Sequence, residues 1–572
     1  MENVLIDDEL SNRSLSIIPL NILHPDERLY NLLLIQPGEN VAVSSEFVRN
    51  ENPQSTKWKY TYFLRLARSS DVDLALSPEY SCPWEVIEEL IENEEIPNPG
   101  KIWVLGCESI KPDELDDLAQ RCEGVVWIYE RENRDQDRKF LDPVCYIFRA
   151  VDSDGNSRIV FVVQFKGQAM ADPKYNLERD NLMTGTKRYI LRNDEDSIHL
   201  TTLICSDALV FSTNGLPRPL HTPYIIPHLQ LNLDPRNPPF KFYRQEAYIQ
   251  NRDKQEFVCI NWAKGFKLAD QDPSPFGGSA FYMKSEKLTL NDDRINANHQ
   301  KGLYYTKCPC LRSHTYFFNY AEHVFLLRTT KPSQALAPGV LQRRTGPEML
   351  KIYGWDAGTN SWVENDISND GFCELCLGLG NNFEPLADAE MSPLNKERLL
   401  TLSNGVVQGS SRKTWFIPNQ LKFFEIGEDE VVRRMTFVQD PCEDAKNERF
   451  RYLGNYARLR NEILPDPTNF PECIRDLAGD WTIKYPCGDR GYEYNLCKTD
   501  GSGRATVAFL GNCSSTDPDR VFDRLASVLQ DEQRRLVVWY EHAGNIHIKW
   551  QGRTPLIDED LSESRTSVAK EV

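Results

Sequence analysis

No stretch of this 572-residue chain stays apolar for longer than a β-strand, far short of the roughly 18 residues needed to span a bilayer. The start, Met1-Glu2-Asn3-Val4, lacks the basic segment and long apolar stretch of a secretory signal. A cytoplasmic address without a membrane partner is therefore expected. Positive charge is also in deficit. The formal net charge of −19 repels phosphate backbones and argues against nucleic acid as the main ligand. There is no Gly-rich phosphate-binding loop, no Ser-His-Asp arrangement and no internal repeat. Arg520, Arg524, Arg534 and Arg535 are interleaved with Asp519, Asp523, Asp531 and Glu532, the pattern of a salt-paired, solvated face.

Cysteine is not scarce, but paired metal clusters are. The 15 cysteines are odd in number and scattered, as expected of free thiols in a reducing compartment. Cys308-Pro309-Cys310 and Cys373-Glu374-Leu375-Cys376 are short pairs, with His314 and His323 or Cys487 and Cys497 in reach, yet no spacing matches a zinc finger. Neither metal nor cofactor is expected.

The length implies two to four domains. Residues 1–27 read as a polar arm. Apolar runs at Tyr30 to Gln36, Asp73 to Leu76, Lys101 to Gly106, Gly124 to Tyr129, Ile198 to Ile204, Phe257 to Asn261, Ala280 to Met283 and Val324 to Arg328 predict strands. Val144 to Arg149 and Ile159 to Phe165 pair around the Asp152-Ser153-Asp154-Gly155 turn. Helical spacing marks Lys57 to Arg68 and the segment after Pro83. Such alternation up to residue 330 indicates an α/β or layered domain. The proline-rich stretch 212–240 reads as a surface excursion, 331–338 as a linker and 339–470 as a mixed region. A small α+β domain follows over 471–557, with a helix opening at Asp517-Pro518 and a hairpin around Ala543-Gly544-Asn545. Residues 558–572 form a charged tail.

Three strand ends carry reactive groups: Glu79 in Leu-Ser-Pro-Glu-Tyr, Lys166 after Val-Val-Gln-Phe, and Cys205 after Thr-Leu-Ile. A thiol attacks a carbonyl carbon well only when a base takes its proton, and the tetrahedral anion then needs positive charge. A carboxylate, an ammonium and a thiol supply those parts for acyl transfer. Taken singly, Cys205 reads as a buried structural thiol, Glu79 as a helix-start carboxylate and Lys166 as a solvated strand end. Lys174 and Lys187 compete for the amine role from polar contexts.

These stretches resemble the nitrilase, or carbon–nitrogen hydrolase, superfamily over about residues 28–330. The resemblance rests on Leu74 to Tyr80, Gly106 after the next strand, Lys166, Cys205 with Asp207 two residues on, Asn261 and Gly265, and Phe276-Gly277-Gly278-Ser279, all in family order. It implies an α/β fold, an αββα sandwich of the nitrilase type, here followed by a smaller α+β C-terminal module. It further implies pairing of copies through the sheet-covering helices, hence a homo-oligomer. By resemblance, Cys205 is the nucleophile, Glu79 the general base and Lys166 the oxyanion stabiliser together with the backbone N–H of Ser206. Glu178, twelve residues after the lysine, matches the second, orienting glutamate. The implied reaction is hydrolysis of a small-molecule, non-peptide amide-type C–N bond through a cysteine thioester. Ser206 stands where nitrile hydrolysers carry an aromatic residue, which favours amidase-like chemistry. Two rivals are a nitrilase-like binding or scaffold protein with an idle triad, and an effector of a bacterial defence system active only when assembled.

Overall fold

Tyr30 to Gln36 is apolar at nearly every position, so the strand it forms has no face to give to water. Leu29–Gln36 accordingly lies inside a sheet and not at its edge. The computed structural model describes the chain except residues 25–27, 132–136, 171–175, 194–197, 218–221, 236–238, 241, 245, 247–253, 285–289, 309–312, 333–343, 368–369, 381–382, 407–433, 486–493, 515–516, 530–534 and 553–572. The fold is mixed α/β, in two compact units that divide between residues 367 and 370.

Among the described residues of the first unit, one sheet has ten strands. It runs Ser361–Asn365, Glu348–Asp356, His323–Thr330, Leu29–Gln36, Leu74–Cys82, Ile102–Cys107, Pro143–Asp152, Ser157–Phe165 and Val125–Tyr129, with Leu15–Ile17 beside Pro143–Asp152. Side chains alternate across such a sheet. Leu33, Ile35, Ala75, Trp103, Leu105, Cys145 and Ile147 share a core with Tyr60, Phe63 and Leu64 of helix Pro53–Ser69, Val86 and Leu90 of helix Trp84–Glu92, and Leu115 and Leu118 of helix Pro112–Arg121.

The opposite face meets a second sheet of nine strands. Its order is Glu2–Leu5, Lys187–Arg192, His199–Thr201, Tyr224–Leu229, Gln255–Ile260, Ala280–Lys284, Ser313–Phe318 and Leu303–Cys308, with Leu203–Ile204 also on Tyr224–Leu229. Tyr30 of the first sheet donates its hydroxyl to Glu256 of the second, and Arg344 pairs with the other oxygen of that carboxylate. Gln164 Nε2 donates to the Thr202 carbonyl at 3.2 Å, a second tie between the layers.

Several expectations change. The described part of the expected arm, residues 1–24, enters the fold: Glu2–Leu5 pairs in parallel with Lys187–Arg192, and Ile6 and Leu10 are buried. Apolar residues at short intervals among the acids were enough to bring this segment into the fold. The sheet also continues beyond residue 330, since Glu348–Asp356 pairs with His323–Thr330 and Ser361–Asn365 follows it. Part of 212–240 is no excursion. Tyr224–Leu229 is a fully buried strand between His199–Thr201 and Gln255–Ile260, its apolar run masked in the sequence by the surrounding prolines.

In the second unit, helices Phe372–Gly378, Pro393–Ser403 and Glu443–Arg458 share one core with strands Arg504–Asn512 and Arg535–His542. The expected division at 470 therefore cuts through packed side chains. Helix Asp517–Leu529 and the Arg535–His542/Asn545–Gly552 hairpin form where predicted. The 558–572 tail lies outside the described residues, as do Lys174, Cys310 and Cys487. Among the described residues no helix is long and apolar enough to cross a membrane.

Candidate active site

Glu79 lies within the Leu74–Cys82 strand, at an irregularity of pairing between Ser77 and Cys82 that only a particular neighbour permits. Tyr80 adopts φ +57°, and the adjoining strand carries Gly106, where a Cβ would collide with the Pro78 carbonyl. Glycine is thus required for close approach of backbone. Glu79 is then pinned from three directions, two on its carboxylate and one on its backbone carbonyl. Its Oε1 accepts from Lys166 Nζ at 2.7 Å, its Oε2 from the backbone N–H of Leu231 at 2.5 Å, and its carbonyl from Trp262 Nε1 at 3.0 Å.

Lys166 follows the Ser157–Phe165 strand and is 1% exposed, as is Glu79. Its ammonium also lies 2.7 Å from Glu178 Oε1 and 3.6 Å from Asp142 Oδ2. Glu178 sits on the short helix Leu177–Asn181. It accepts further from Tyr80 Oη at 3.1 Å and from the Met170 N–H at 2.7 Å. Glu79, Glu178 and Lys166 are therefore brought together. Lys187, the described competitor, instead lies 3.5 Å from Glu9.

Cys205 is 3% exposed and begins a 3₁₀ turn, Cys205–Leu209, directly after Leu203–Ile204. Its φ of +35° is rare for a residue with a side chain and stores backbone strain of the kind concentrated at functional sites. The turn is held from both sides. His228 Nε2 binds the Cys205 carbonyl at 2.9 Å, and Ser206 Oγ donates to the Gln168 carbonyl at 2.5 Å. Asp207 Oδ1 accepts from the N–H groups of Gly167 and Gln168 at 2.9 and 2.8 Å, which binds the cysteine turn to the segment just past Lys166.

Electrostatics couples these groups. Burial pushes the Cys205 thiol well above its ordinary range; the Glu79 charge adds to this, and the Lys166 ammonium opposes it. Burial also raises Glu79, against the pull of Lys166, with Glu178 adding to the rise. Desolvation alone would lower Lys166, but Glu178, Glu79, Cys205 and Asp142 outweigh it and hold the ammonium charged. Asp142 is raised well above the carboxylate range by burial and by Glu79. Asp207 is pushed up to about 6 by burial, with Lys166 and Arg188 pulling the other way.

Oxygens of Glu79, Asp142 and Glu178 lie within 4.8 Å of one another, a set able to face a cation. The Lys166 ammonium already stands against all three and supplies the positive charge they require.

The sequence reading missed Asp142, His228 and the Leu231 N–H. Asp142 carried a usable signal, since it is an acid directly preceding an apolar strand, the mirror of Glu79 ending one. His228 lay inside the run taken for an excursion. Asn261, by contrast, was marked in the sequence, and its part is now visible. Its side chain grips Asn232 at both N–H and carbonyl, at 3.0 and 2.8 Å, beside the residue that holds Glu79.

No family model and no curated protein matches the chain. Among solved structures, it is similar to a CN-hydrolase superfamily protein from Xanthomonas campestris with an arsenic adduct in its active site. The identity is 12%, the match covers 45% of this chain and 83% of that one, and the TM-score is 0.28.

Proposed function

We propose that the first unit is a thiol-dependent amidohydrolase of the nitrilase kind, an αββα sandwich that cleaves a small-molecule amide-type C–N bond. The observation that carries this reading is the buried Lys166 ammonium between Glu79 and Glu178, 2.7 Å from each and electrostatically coupled to Cys205. A lysine serving only as a structural ion-pair partner has no need of a strained cysteine turn tied to the segment just past it.

In the reaction, Glu79 takes the Cys205 proton as sulfur attacks the carbonyl carbon. Lys166 and the Ser206 N–H stabilise the oxyanion, and protonated Glu79 returns its proton to the departing amine. Glu178 orients the water that cleaves the thioester. Raising Glu79 suits it to the first half of this cycle, because a carboxylate held above its ordinary range takes a proton more readily. The second unit then serves regulation or assembly, and the helices covering the first sheet provide a face for a second copy.

The test is mass spectrometry of the intact chain after incubation with a library of small amides. An acyl adduct on Cys205, lost in Cys205→Ala together with ammonia release, supports the hydrolase. One observation favours the scaffold alternative: Glu79, Lys166 and Cys205 are each at most 3% exposed. Absence of any adduct, with iodoacetamide labelling Cys205 no more selectively than other buried cysteines, would select that alternative.

A further inference from the structure

We propose that Cys373 and Lys396, in the second unit, form a peroxide-triggered covalent cross-link. The Lys396 ammonium lies 2.7 Å from the Cys373 sulfur. Lys396 is 4% exposed, and among the described residues this thiol is its hydrogen-bond partner. Burying an ammonium is costly without a partner that answers its charge. The adjacent Glu397 has one, since it pairs with Arg434 at 3.2 Å and accepts from both the N–H and the hydroxyl of Thr436 at 2.7 Å. Lys396 is instead buried onto a sulfur.

The two elements are fixed. Helix Pro393–Ser403 is capped by Ser392, whose side chain accepts from the Asn395 N–H, and it buries Leu394, Leu399 and Leu400 around Lys396. Helix Phe372–Gly378 buries Phe372 and Cys376 in the same core and leaves Cys373 partly exposed. A small oxidant therefore reaches the sulfur from outside while the nitrogen waits behind it.

The chemistry balances with hydrogen peroxide as co-reactant. The thiol sulfur attacks one peroxide oxygen, the O–O bond breaks, and the departing hydroxide leaves as water with the thiol proton, while the ammonium gives one proton to solvent. This gives a sulfenic acid facing a neutral amine. The amine lone pair then displaces the sulfenic oxygen: an N–S bond forms, the S–O bond breaks, and a second water leaves with a nitrogen proton. Sulfur loses two electrons and the peroxide gains them. Thiol, amine and peroxide become a sulfenamide and two waters, a condensation known for sulfenic acids with backbone nitrogen. The new bond would join the ends of the segment that lines a cavity bounded by Gly380, Phe383, Pro385 and Asp388.

The test is peptide mapping of the full-length chain after hydrogen peroxide treatment. A Cys373–Lys396 cross-linked peptide, lighter by two hydrogens and released by dithiothreitol, is the expected product. It disappears in Cys373→Ser and in Lys396→Met, the latter keeping the apolar stem in place. The partly exposed Cys442 and Cys513 serve as internal controls, since among the described residues neither has such an amine contact. The proposal is overturned if Cys373 joins Cys376 as a disulfide, or accumulates as sulfinic acid. It is equally overturned if dimedone traps the Cys373 sulfenic acid at the same rate in the wild type and Lys396→Met with no cross-link in either.

Discussion

The backbone N–H of Leu231 donates to Glu79 Oε2 at 2.5 Å, across 152 residues of sequence. With Lys166 on the other oxygen, this bond leaves the carboxylate one orientation. Leu231 is itself held through Asn232 and Asn261, so the orientation of the Glu79 carboxylate depends on that asparagine pair as well.

Glu79→Gln preserves the shape of the side chain and its acceptor for Leu231 but abolishes its capacity as a base. Acylation of Cys205 should slow by about 10²–10⁴-fold with the fold intact. Rapid-quench mass spectrometry of the adduct, alongside circular dichroism, measures both.

Lys166→Met leaves Glu79, Asp142 and Glu178 buried without their cation. Removing one partner of a buried ionic cluster costs about 3–5 kcal/mol. Urea unfolding should reveal the loss, and the deficit should shrink in acid, where the orphaned carboxyls are protonated. A deficit independent of pH would mean that lost packing, not lost charge, was responsible.

Gly106→Ala places a methyl group against the Pro78 carbonyl. Overpacking of this kind costs about 1–3 kcal/mol. Because the displaced segment carries Glu79, activity should fall further than stability does. Ala at Gly155, where a Cβ has open space but φ is +83°, provides a strain-only control.

Asp207 has its folded-state pKa raised to about 6 from an ordinary 3.8. Between these values the folded protein holds more protons than the unfolded chain, so stability falls as pH rises from about 4 to about 6. The contribution of this residue is of order 3 kcal/mol. Asp207→Asn retains an acceptor for Gly167 and Gln168, and should flatten that part of the stability profile when urea midpoints are compared across the window.

How much of this was legible beforehand depends on whether a signal was local. Glu79, Lys166 and Cys205 each end a short apolar run, and that local pattern found the strand ends before Lys166 and Cys205, whereas Glu79 lies within Leu74–Cys82, whose pairing is interrupted after Ser77. Glu178 lies on a five-residue helix in a polar stretch, and only a loose spacing pointed to it. The strand Tyr224–Leu229 was hidden because Pro227 and flanking prolines read as loop chemistry, while the burial that overrides them is tertiary. The same holds for residues 1–27, whose strand partners lie well over a hundred positions away. Asp142 differs, because its signal is local: an acid directly before the strand Pro143–Asp152.

The thiol of Cys205 is almost sealed from water, and this sets a kinetic signature. If a reagent meets the sulfur only when the surrounding residues open locally, alkylation by iodoacetamide cannot accelerate without limit as the reagent is made more concentrated. The rate should level off, and the height of that plateau would be the frequency of local opening around Cys205.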